Sequence, residues 1–384
     1  MQKIMKNVLF LAALSITLSA CSTFFDKDNT PAPTPLVNFR QVVSIRPMWS
    51  THVGTGAPKE YLKLGPAISG ARIFTVSKDG VVAATNKFSG KTEWVNNTRR
   101  IITSGVSAND DLVFVGTHNG DILALTQNNG KIAWSAHASS EILAPVIEGH
   151  GVVLAKTIDG RLTAFSDIDG HELWSYQQNV PTLVLRAASA PKISGDTAIV
   201  GFENGTLTKL SLHQGSVIWQ QPIAEPTGSF AIQRMIDIDA DPIIIGNRIY
   251  AATYQGHISA LDLASGNPYW EHDISTFSGI AADDARVYVS DAQSRMWAFN
   301  SRTGEIDWHL NKLYARNITG PAVMGNYIVV GDGEGYLHWI NKNDGTFAAR
   351  TFLSKSGIVA TPIVQDGIIY LYTQDGRLTA YTLT

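Results

Sequence analysis

One stretch of the chain looks like a nucleotide-binding loop. Residues 89–92 read SGKT, which resembles the end of a P-loop, the glycine-rich segment that cradles phosphates. The first glycine of that pattern would fall at Thr85, and the stretch NGK at residues 129–131 has the same place in a repeat described below. The sequence therefore indicates a turn here and not a nucleotide site.

Three aspartates have the spacing of calcium ligands. Asp237, Asp239 and Asp241 match the first ligands of a calcium loop. The sixth position of that loop is Pro242 where glycine is needed, and the twelfth is Arg248 where glutamate is needed. An EF-hand is excluded, and a looser cation site is the remaining alternative.

The other chemistry-bearing residues form no recognisable site in the sequence. The glycines at 331, 333 and 335 fall at a hairpin of the repeat, so they are expected to be turn glycines. The ten histidines are scattered without metal-ligand spacing, and no G-x-S-x-G occurs. Trp297 and Trp339 are expected to pack within the fold, with a ligand cage as the alternative. The sequence thus predicts no catalytic residue, cofactor or metal.

A repeat of about 40 residues organises the chain. Its turn positions are Gly80, Gly120, Gly160, Gly205, Gly256, Ser294, Gly335 and Gly376. Ten residues after each of the first seven comes a second glycine, and four residues later six of these seven copies carry a tryptophan. These positions are Trp94, Trp134, Trp174, Trp219, Trp270 and Trp308, with Ala349 in the seventh copy. We expect the tryptophans to wedge between adjacent repeats, because each can bury roughly 150–250 Å².

The repeat predicts the fold class. Each copy holds four short apolar runs separated by turns, which is typical of a four-stranded antiparallel sheet. One such sheet cannot bury both faces, so about eight copies predict an all-β, eight-bladed β-propeller over residues 43–384. The last copy ends before its tryptophan position, whereas residues 43–50 form an unassigned strand-like run that contains Trp49. We expect this N-terminal strand to join the last blade and close the ring.

The composition limits the function. Hydrophobic residues make up 44% of the chain and charged residues 16%, which suits a globular all-β body. The net charge of −3 argues against nucleic-acid binding, because that requires a basic surface.

Residues 1–20 have the features of a secretory signal. Lys3 and Lys6 precede an apolar run that is too short to span a bilayer stably, and Cys21, the only cysteine, follows it. Small residues followed by one cysteine resemble the bacterial lipobox, in which the cysteine is acylated; ordinary signal cleavage is the alternative. Ser22 at the next position implies transfer to the outer membrane in Gram-negative lipoproteins. We expect lipid on Cys21 and a flexible tether over residues 21–42.

Two connections between repeats are expanded. The connection after Trp134 takes 11 residues to the next strand, whereas those after Trp174 and Trp219 take 17 and 23. Both run from an outermost strand to the next innermost strand, so we expect them to lie side by side at one end of the propeller. Function on a repeat scaffold is concentrated where the repeat departs from itself.

The expanded connections carry the residue types of a protein-docking surface. The first presents Leu183, Leu185 and Arg186, and the second presents Arg234, Met235, Asp237 and Asp239. Large apolar residues beside an arginine are typical of binding hot spots. The alternative is that the leucines fold back over the propeller and Arg186 pairs internally with Asp237 or Asp239.

The repeat resembles the PQQ-type propeller repeat, which is nearly complete in QGHISALDLASGNPYW at residues 255–270. The lipobox, the tether, PTLVLRAASAP, RMIDIDADP and GDGEGYLHWIN add to this likeness. Over its whole length the chain is similar to the propeller lipoproteins of the outer-membrane β-barrel assembly machinery. The two expanded connections and GDGEGYLHWIN are the specific part of the resemblance.

This resemblance implies a scaffold without enzymatic activity, held by lipid in the outer membrane and facing the periplasm. It implies contact with the periplasmic POTRA domains of BamA through the positions matched here by Leu183, Leu185, Arg186, Asp237 and Asp239. Nascent outer-membrane barrel proteins are a further partner, which strand addition at the blade edges would permit.

Two other functions stay open at this point. Quinoprotein dehydrogenases that use PQQ and Ca²⁺ share the repeat type, but they are longer, with insertions that build the quinone pocket and often an adjacent cysteine pair. An envelope propeller lipoprotein with a different partner is the other alternative. Ser294 and Ala349 depart from the repeat, which leaves the local turn geometry and blade packing there unsettled.

Overall fold

Four antiparallel strands recur eight times along the chain. The structure is a computed structural model that describes residues 30–58, 60–186 and 189–384. Within these residues the strands form eight separate four-stranded sheets, and the compact unit that contains them is Thr34–Thr384. The predicted all-β, eight-bladed propeller is confirmed. The signal segment and Cys21 lie outside the described residues.

The strands are named in chain order, and β1 (Ile45–His52) belongs to the last blade. Blade one contains β2 (Ala67–Ser69), β3 (Arg72–Val76), β4 (Val81–Asn86) and β5 (Thr92–Asn97). Blade two contains β6 (Ser107–Ala108), β7 (Leu112–Gly116), β8 (Asp121–Thr126) and β9 (Ile132–His137). Blade three contains β10 (Ile147–Gly149), β11 (Val152–Lys156), β12 (Arg161–Ser166) and β13 (Glu172–Gln177). Blade four contains β14 (Lys192–Ser194), β15 (Thr197–Gly201), β16 (Thr206–Ser211) and β17 (Val217–Pro222).

The second half of the ring follows the same pattern. Blade five contains β18 (Ile243–Ile245), β19 (Arg248–Ala252), β20 (Gly256–Asp262) and β21 (Pro268–Ile274). Blade six contains β22 (Gly279–Ala282), β23 (Arg286–Ser290), β24 (Met296–Asn300) and β25 (Ile306–Leu310). Blade seven contains β26 (Ala322–Met324), β27 (Tyr327–Gly331), β28 (Tyr336–Asn341) and β29 (Phe347–Phe352). Blade eight contains β30 (Ile363–Gln365), β31 (Ile368–Tyr372) and β32 (Arg377–Leu383), with β1 as its outer strand.

Helix is nearly absent from the described residues. A single 3₁₀ turn, Ala231–Arg234, lies in the connection between blades four and five. In this part of the chain no helix has the length and apolar character needed to cross a membrane.

Each repeat tryptophan packs on a turn glycine of the next blade. A Cβ on Gly170 would lie 2.5 Å from the Trp134 ring, and Gly170 has a φ of +75°. The Trp134 Nε1 donates to the carbonyl oxygen of Asp167 at 2.8 Å. The same packing joins Trp49 to Gly90, Trp94 to Gly130, Trp174 to Gly215, Trp219 to Gly266, Trp270 to Gly304 and Trp308 to Gly345. The predicted wedge between blades is confirmed.

The two ends of the chain close the ring. Strand β1 pairs antiparallel with β32, with Ile45 opposite Leu383 and His52 opposite Arg377. This confirms that the N-terminal strand joins the last blade. In the other blades a turn joins the third strand to the fourth, but no chain connects β32 to β1. The eighth blade therefore has no turn glycine there for a tryptophan of blade seven to contact.

The missing tryptophan of the repeat falls at this seam. Ala349 precedes the blade that lacks the turn, and Trp339 lies directly opposite it on the neighbouring strand. Trp339 is fully buried in the apolar cluster that blades seven and eight share, so it packs within the fold as expected. Ser294, the other departure, keeps the repeat turn with a φ of +66° and donates its N–H to the carbonyl oxygen of Asp291 at 2.9 Å.

Residues 34–42, here called the strap, lie along the outer edge of blade seven. The N–H of Thr34 donates into the connection between blades six and seven, and that of Val42 donates to Ala348 at 2.9 Å. Between these points the Arg350 guanidinium lies 4.9 Å from the ring centroid of Phe39. This part of the expected tether is therefore attached to the propeller, because aromatic and arginine side chains hold it there.

Candidate functional site

The two expanded connections meet at one end of the propeller. Because successive strands run in opposite directions, all connections between blades emerge at this end, here called the link end. The Leu185 N–H donates to Asp237 Oδ1 at 3.1 Å, and the Ala190 N–H donates to Asp241 Oδ1 at 2.7 Å. These two bonds join the connections side by side, as the sequence predicts.

The first connection places an apolar residue and a cation at the surface. Leu183 is 43% exposed and Leu185 is half-buried. The Arg186 side chain is 60% exposed, and its Nη2 donates to Glu141 Oε1 at 2.6 Å. The same Glu141 oxygen contacts the His118 Nδ1 at 2.9 Å. Arg186 therefore pairs with the preceding connection and not with Asp237 or Asp239.

Asp237 and Asp239 lie beneath this surface. They are 0% and 2% exposed, because residues 235–240 are all buried against blade four. Ile238, for example, occupies the space that a side chain on Gly201 would need. The sequence pattern suggests two exposed carboxylates, but the structure makes Asp237 a support for the backbone at Leu185.

Burial changes the acidity of both aspartates. It raises the pKa of Asp237 to about 7, partly opposed by hydrogen bonds from backbone N–H groups, including that of Leu185. It raises the pKa of Asp239 to about 7 as well, and the neighbouring Asp237 adds to this. The buried pair of Lys156 and Glu203, 3.1 Å apart, lies in the same charged region.

A cavity of about 930 Å³, here called the funnel, opens on the propeller axis at the link end. Leu185 and Arg186 line it, so it is continuous with the surface of the first connection. Tyr61 also lines it and belongs to the segment that leads from β1 across the axis to β2. In that segment the Lys63 ammonium donates to the carbonyl oxygen of Phe277 on the far side of the ring.

Several of these residues carry no signal in the sequence. Glu141 is an ordinary connection residue in the repeat, and Tyr61 and Lys63 lie between repeats. Their roles come from contacts across the ring, such as the one between Lys63 and Phe277, which are 214 positions apart. Phe230 and Ile232, 68% and 60% exposed, add apolar surface in the second connection. The unusual length of this connection is the sequence feature that points to them.

The sequence motifs that resemble catalytic or metal sites are structural. The SGKT stretch forms the turn between β4 and β5, where the Gly90 N–H donates to Asn86. His338 and Asp332 form a 2.9 Å pair, but both are 0% exposed, so no substrate could reach them. In the part of the chain that the structure describes, no group of three or more metal-ligating side chains could hold a metal ion.

The fold and the surface define a class: an eight-bladed propeller whose most distinctive surface is formed by two expanded connections at the mouth of an axial funnel. The family model described as "Outer membrane protein assembly factor BamB" matches residues 78–310 and 314–384. The chain belongs to the BamB family of outer membrane protein assembly factors, as the resemblance predicts.

Similar proteins agree with this assignment. An outer membrane protein assembly factor BamB from Legionella pneumophila is 45% identical over 381 residues, which cover 98% of each chain. The crystal structure of BamB from Moraxella catarrhalis is similar with a TM-score of 0.82 and 25% identity, covering 88% of this chain and all of that one. A quinohemoprotein alcohol dehydrogenase from Comamonas testosteroni has a TM-score of 0.69 at 13% identity over 88% of this chain and 76% of its own, which shows the shared fold alone.

Proposed function

We propose that the protein is a non-enzymatic scaffold in outer-membrane protein assembly that binds the periplasmic POTRA domains of BamA. Membership of the BamB family supports the process, since relatives carry the name of an assembly factor. The observation that carries the docking surface is the bonded pair of expanded connections, which presents Leu183 and Arg186 outward. Lipid on Cys21 and an outer-membrane location facing the periplasm are part of the same proposal.

The five candidate residues divide into two roles in this proposal. Leu183, Leu185 and Arg186 form the contact surface, because they lie at the link end or line the funnel. Asp237 and Asp239 act from below, and Asp237 holds the Leu185 backbone in place. Loss of either group of residues weakens docking, and the first group supplies the exposed part of the contact surface.

Charge reversal at Arg186 tests the surface. Arg186→Glu places a carboxylate beside Glu141, and we expect it to abolish co-purification with BamA while the thermal unfolding midpoint changes little, since the side chain is exposed. Arg302→Glu, an exposed reversal at the opposite end, is the matched control. Unchanged binding by Arg186→Glu, measured with a purified POTRA fragment, would remove this surface from the proposal.

A further inference from the structure

The wall of the funnel contains an aromatic cluster. The ring of Phe277 lies 6.0 Å from that of Tyr61 and 6.1 Å from that of Tyr254, measured between centroids, and both contacts are edge-on. All three rings line the funnel, and Tyr61 is 45% exposed. In each edge-on pair the edge of one ring covers one face of the other, and the remaining ring faces attract cations.

A carboxylate without a hydrogen-bond donor lies below the aromatic cluster. Asp239 lines a deeper cavity of about 210 Å³, which shares Tyr61 and Arg186 with the funnel. Among the described residues, neither carboxylate oxygen of Asp239 has a hydrogen-bond partner. Lys63 lines the same cavity and attracts Asp239 electrostatically, but the hydrogen bond of its ammonium goes to the Phe277 carbonyl oxygen. A buried carboxylate without donors is costly, so a donor that enters along the axis would be stabilised.

The surroundings favour an organic cation over a metal ion. Metal binding needs several ligands, and the described residues contain no group of three that could supply them. A guanidinium stacks on aromatic rings and donates two parallel hydrogen bonds to a carboxylate, whereas its alkyl stem packs on apolar side chains such as Leu62 and Ile318 in the funnel. The cation of Arg186 is already paired with Glu141.

We propose that the funnel binds an arginine side chain of the docked partner, with its stem among Tyr61, Tyr254 and Phe277 and its guanidinium on Asp239. The inference rests on the proposed function, because Leu185 and Arg186 make the funnel continuous with the docking surface. It adds a specific chemical requirement to that function: the docked protein must project a basic side chain along the propeller axis.

Two short peptides test the chemistry of the funnel directly. The purified full chain is titrated with acetyl-Gly-Arg-Gly-amide and with its citrulline counterpart, which has nearly the same shape without the charge. Asp239→Asn removes the carboxylate charge without breaking a described hydrogen bond, and Asp196→Asn, on an exposed turn, is the matched control. We expect saturable binding of the arginine peptide that falls about tenfold or more with citrulline or with Asp239→Asn, and is retained by Asp196→Asn.

Equal binding of the two peptides, or no binding of either by the wild type, would mean that the deeper cavity holds only water and would overturn the inference.

A POTRA fragment titrated in parallel separates this inference from the proposed function. We expect Asp239→Asn and Tyr61→Ala to weaken POTRA binding about tenfold without lowering the thermal unfolding midpoint. Full POTRA affinity in both variants would overturn the funnel proposal and leave the docking surface standing. No POTRA binding by the wild type would overturn the proposed function instead.

Discussion

Asp237 and Asp239 place two carboxylates where ionisation is costly. They are separated by one residue in a fully buried segment, and each has its pKa raised to about 7, first by burial. Glu203 adds like charge, whereas Lys63 and Lys156 partly offset it. A buried pair of this kind shares protons near neutral pH, so its charge state is sensitive to small changes in the surroundings.

The raised pKa values predict a pH dependence of stability. In the unfolded chain these carboxyl groups have the ordinary aspartate pKa of 3.8, whereas in the folded protein their pKa is about 7. Their contribution to stability is therefore fully present below about pH 4 and is lost as the pH rises through about 7. We expect Asp239→Asn to gain ~1 kcal/mol or more in unfolding free energy relative to the wild type between pH 5 and pH 8.

Urea unfolding of both proteins at the two pH values measures this difference. Asp196→Asn is the control, because its side chain is 85% exposed. Parallel pH dependences for the wild type and Asp239→Asn would show that Asp239 ionises normally in the folded protein.

At the scale of the element, the junction between blades is a tryptophan resting on a glycine. The contact requires a large ring on one blade and no side chain on the next, and the N–H of the ring also needs a carbonyl acceptor. Trp134, Gly170 and Asp167 show all three parts. The same set recurs at seven of the eight junctions, and the seam between blades seven and eight, where Ala349 replaces the tryptophan, is the exception.

The junction can be weakened from either side. Trp134→Ala should cost about 3–5 kcal/mol of unfolding free energy, because the ring is 8% exposed and leaves a cavity. Gly170→Ala should also be strongly destabilising, because its Cβ would lie 2.5 Å from the Trp134 ring. Gly195→Ala is the matched control, with a φ of +54° and no atom within 4 Å of the added carbon, and should cost only about 1–2 kcal/mol.

Chemical denaturation of the three variants gives the comparison. Equal losses for Gly170→Ala and Gly195→Ala would mean that backbone strain alone, and not contact with Trp134, accounts for the requirement for glycine.

The junctions also show what a sequence can reveal. A wedge such as Trp134 on Gly170 is visible because the same spacing recurs, and a recurring pattern needs no knowledge of distant contacts. The closing strand β1 can be inferred because it carries Trp49, the repeat tryptophan that the last copy lacks.

The sequence identifies Asp237 and Asp239 as candidate site residues but does not show that they are buried. Their burial depends on how residues 235–240 pack against blade four. The strap and the axial position of Lys63 depend on contacts between residues hundreds of positions apart, which leave no periodic trace.

At the scale of the whole molecule, the ring is closed by hydrogen bonds and side-chain packing alone. Strand β1 is the outer strand that covers β32, and removal of β1 would expose β32 as the unpaired outer edge of blade eight. Val43 and Ile45 would also leave the apolar cluster that joins blades seven and eight. The pairing of β1 with β32 and this apolar packing together hold the two ends of the chain in one blade.

Truncation tests the closure. A chain that begins at residue 53 lacks β1 and Trp49, and we expect it to lose several kcal/mol of stability and to self-associate through the exposed edge. A chain that begins at residue 30 retains every described element and serves as the control. Size-exclusion chromatography and thermal unfolding measure the two effects, and a monomeric, fully stable product of the shorter chain would contradict this account of closure.

The strap gives the propeller a direction in which it resists force. A pull on the chain at Thr34 acts first on the hydrogen bond that the Thr34 carbonyl oxygen accepts from Arg316. From Thr34 the strap runs towards the opposite end of the propeller. A pull along the strap is therefore parallel to blade seven and loads all of the strap's contacts at the same time. Without the strap, the same pull would reach β1 at Ile45 and peel it from β32 one bond at a time. Residues 34–42 therefore protect the pairing of β1 with β32 from force applied along the chain.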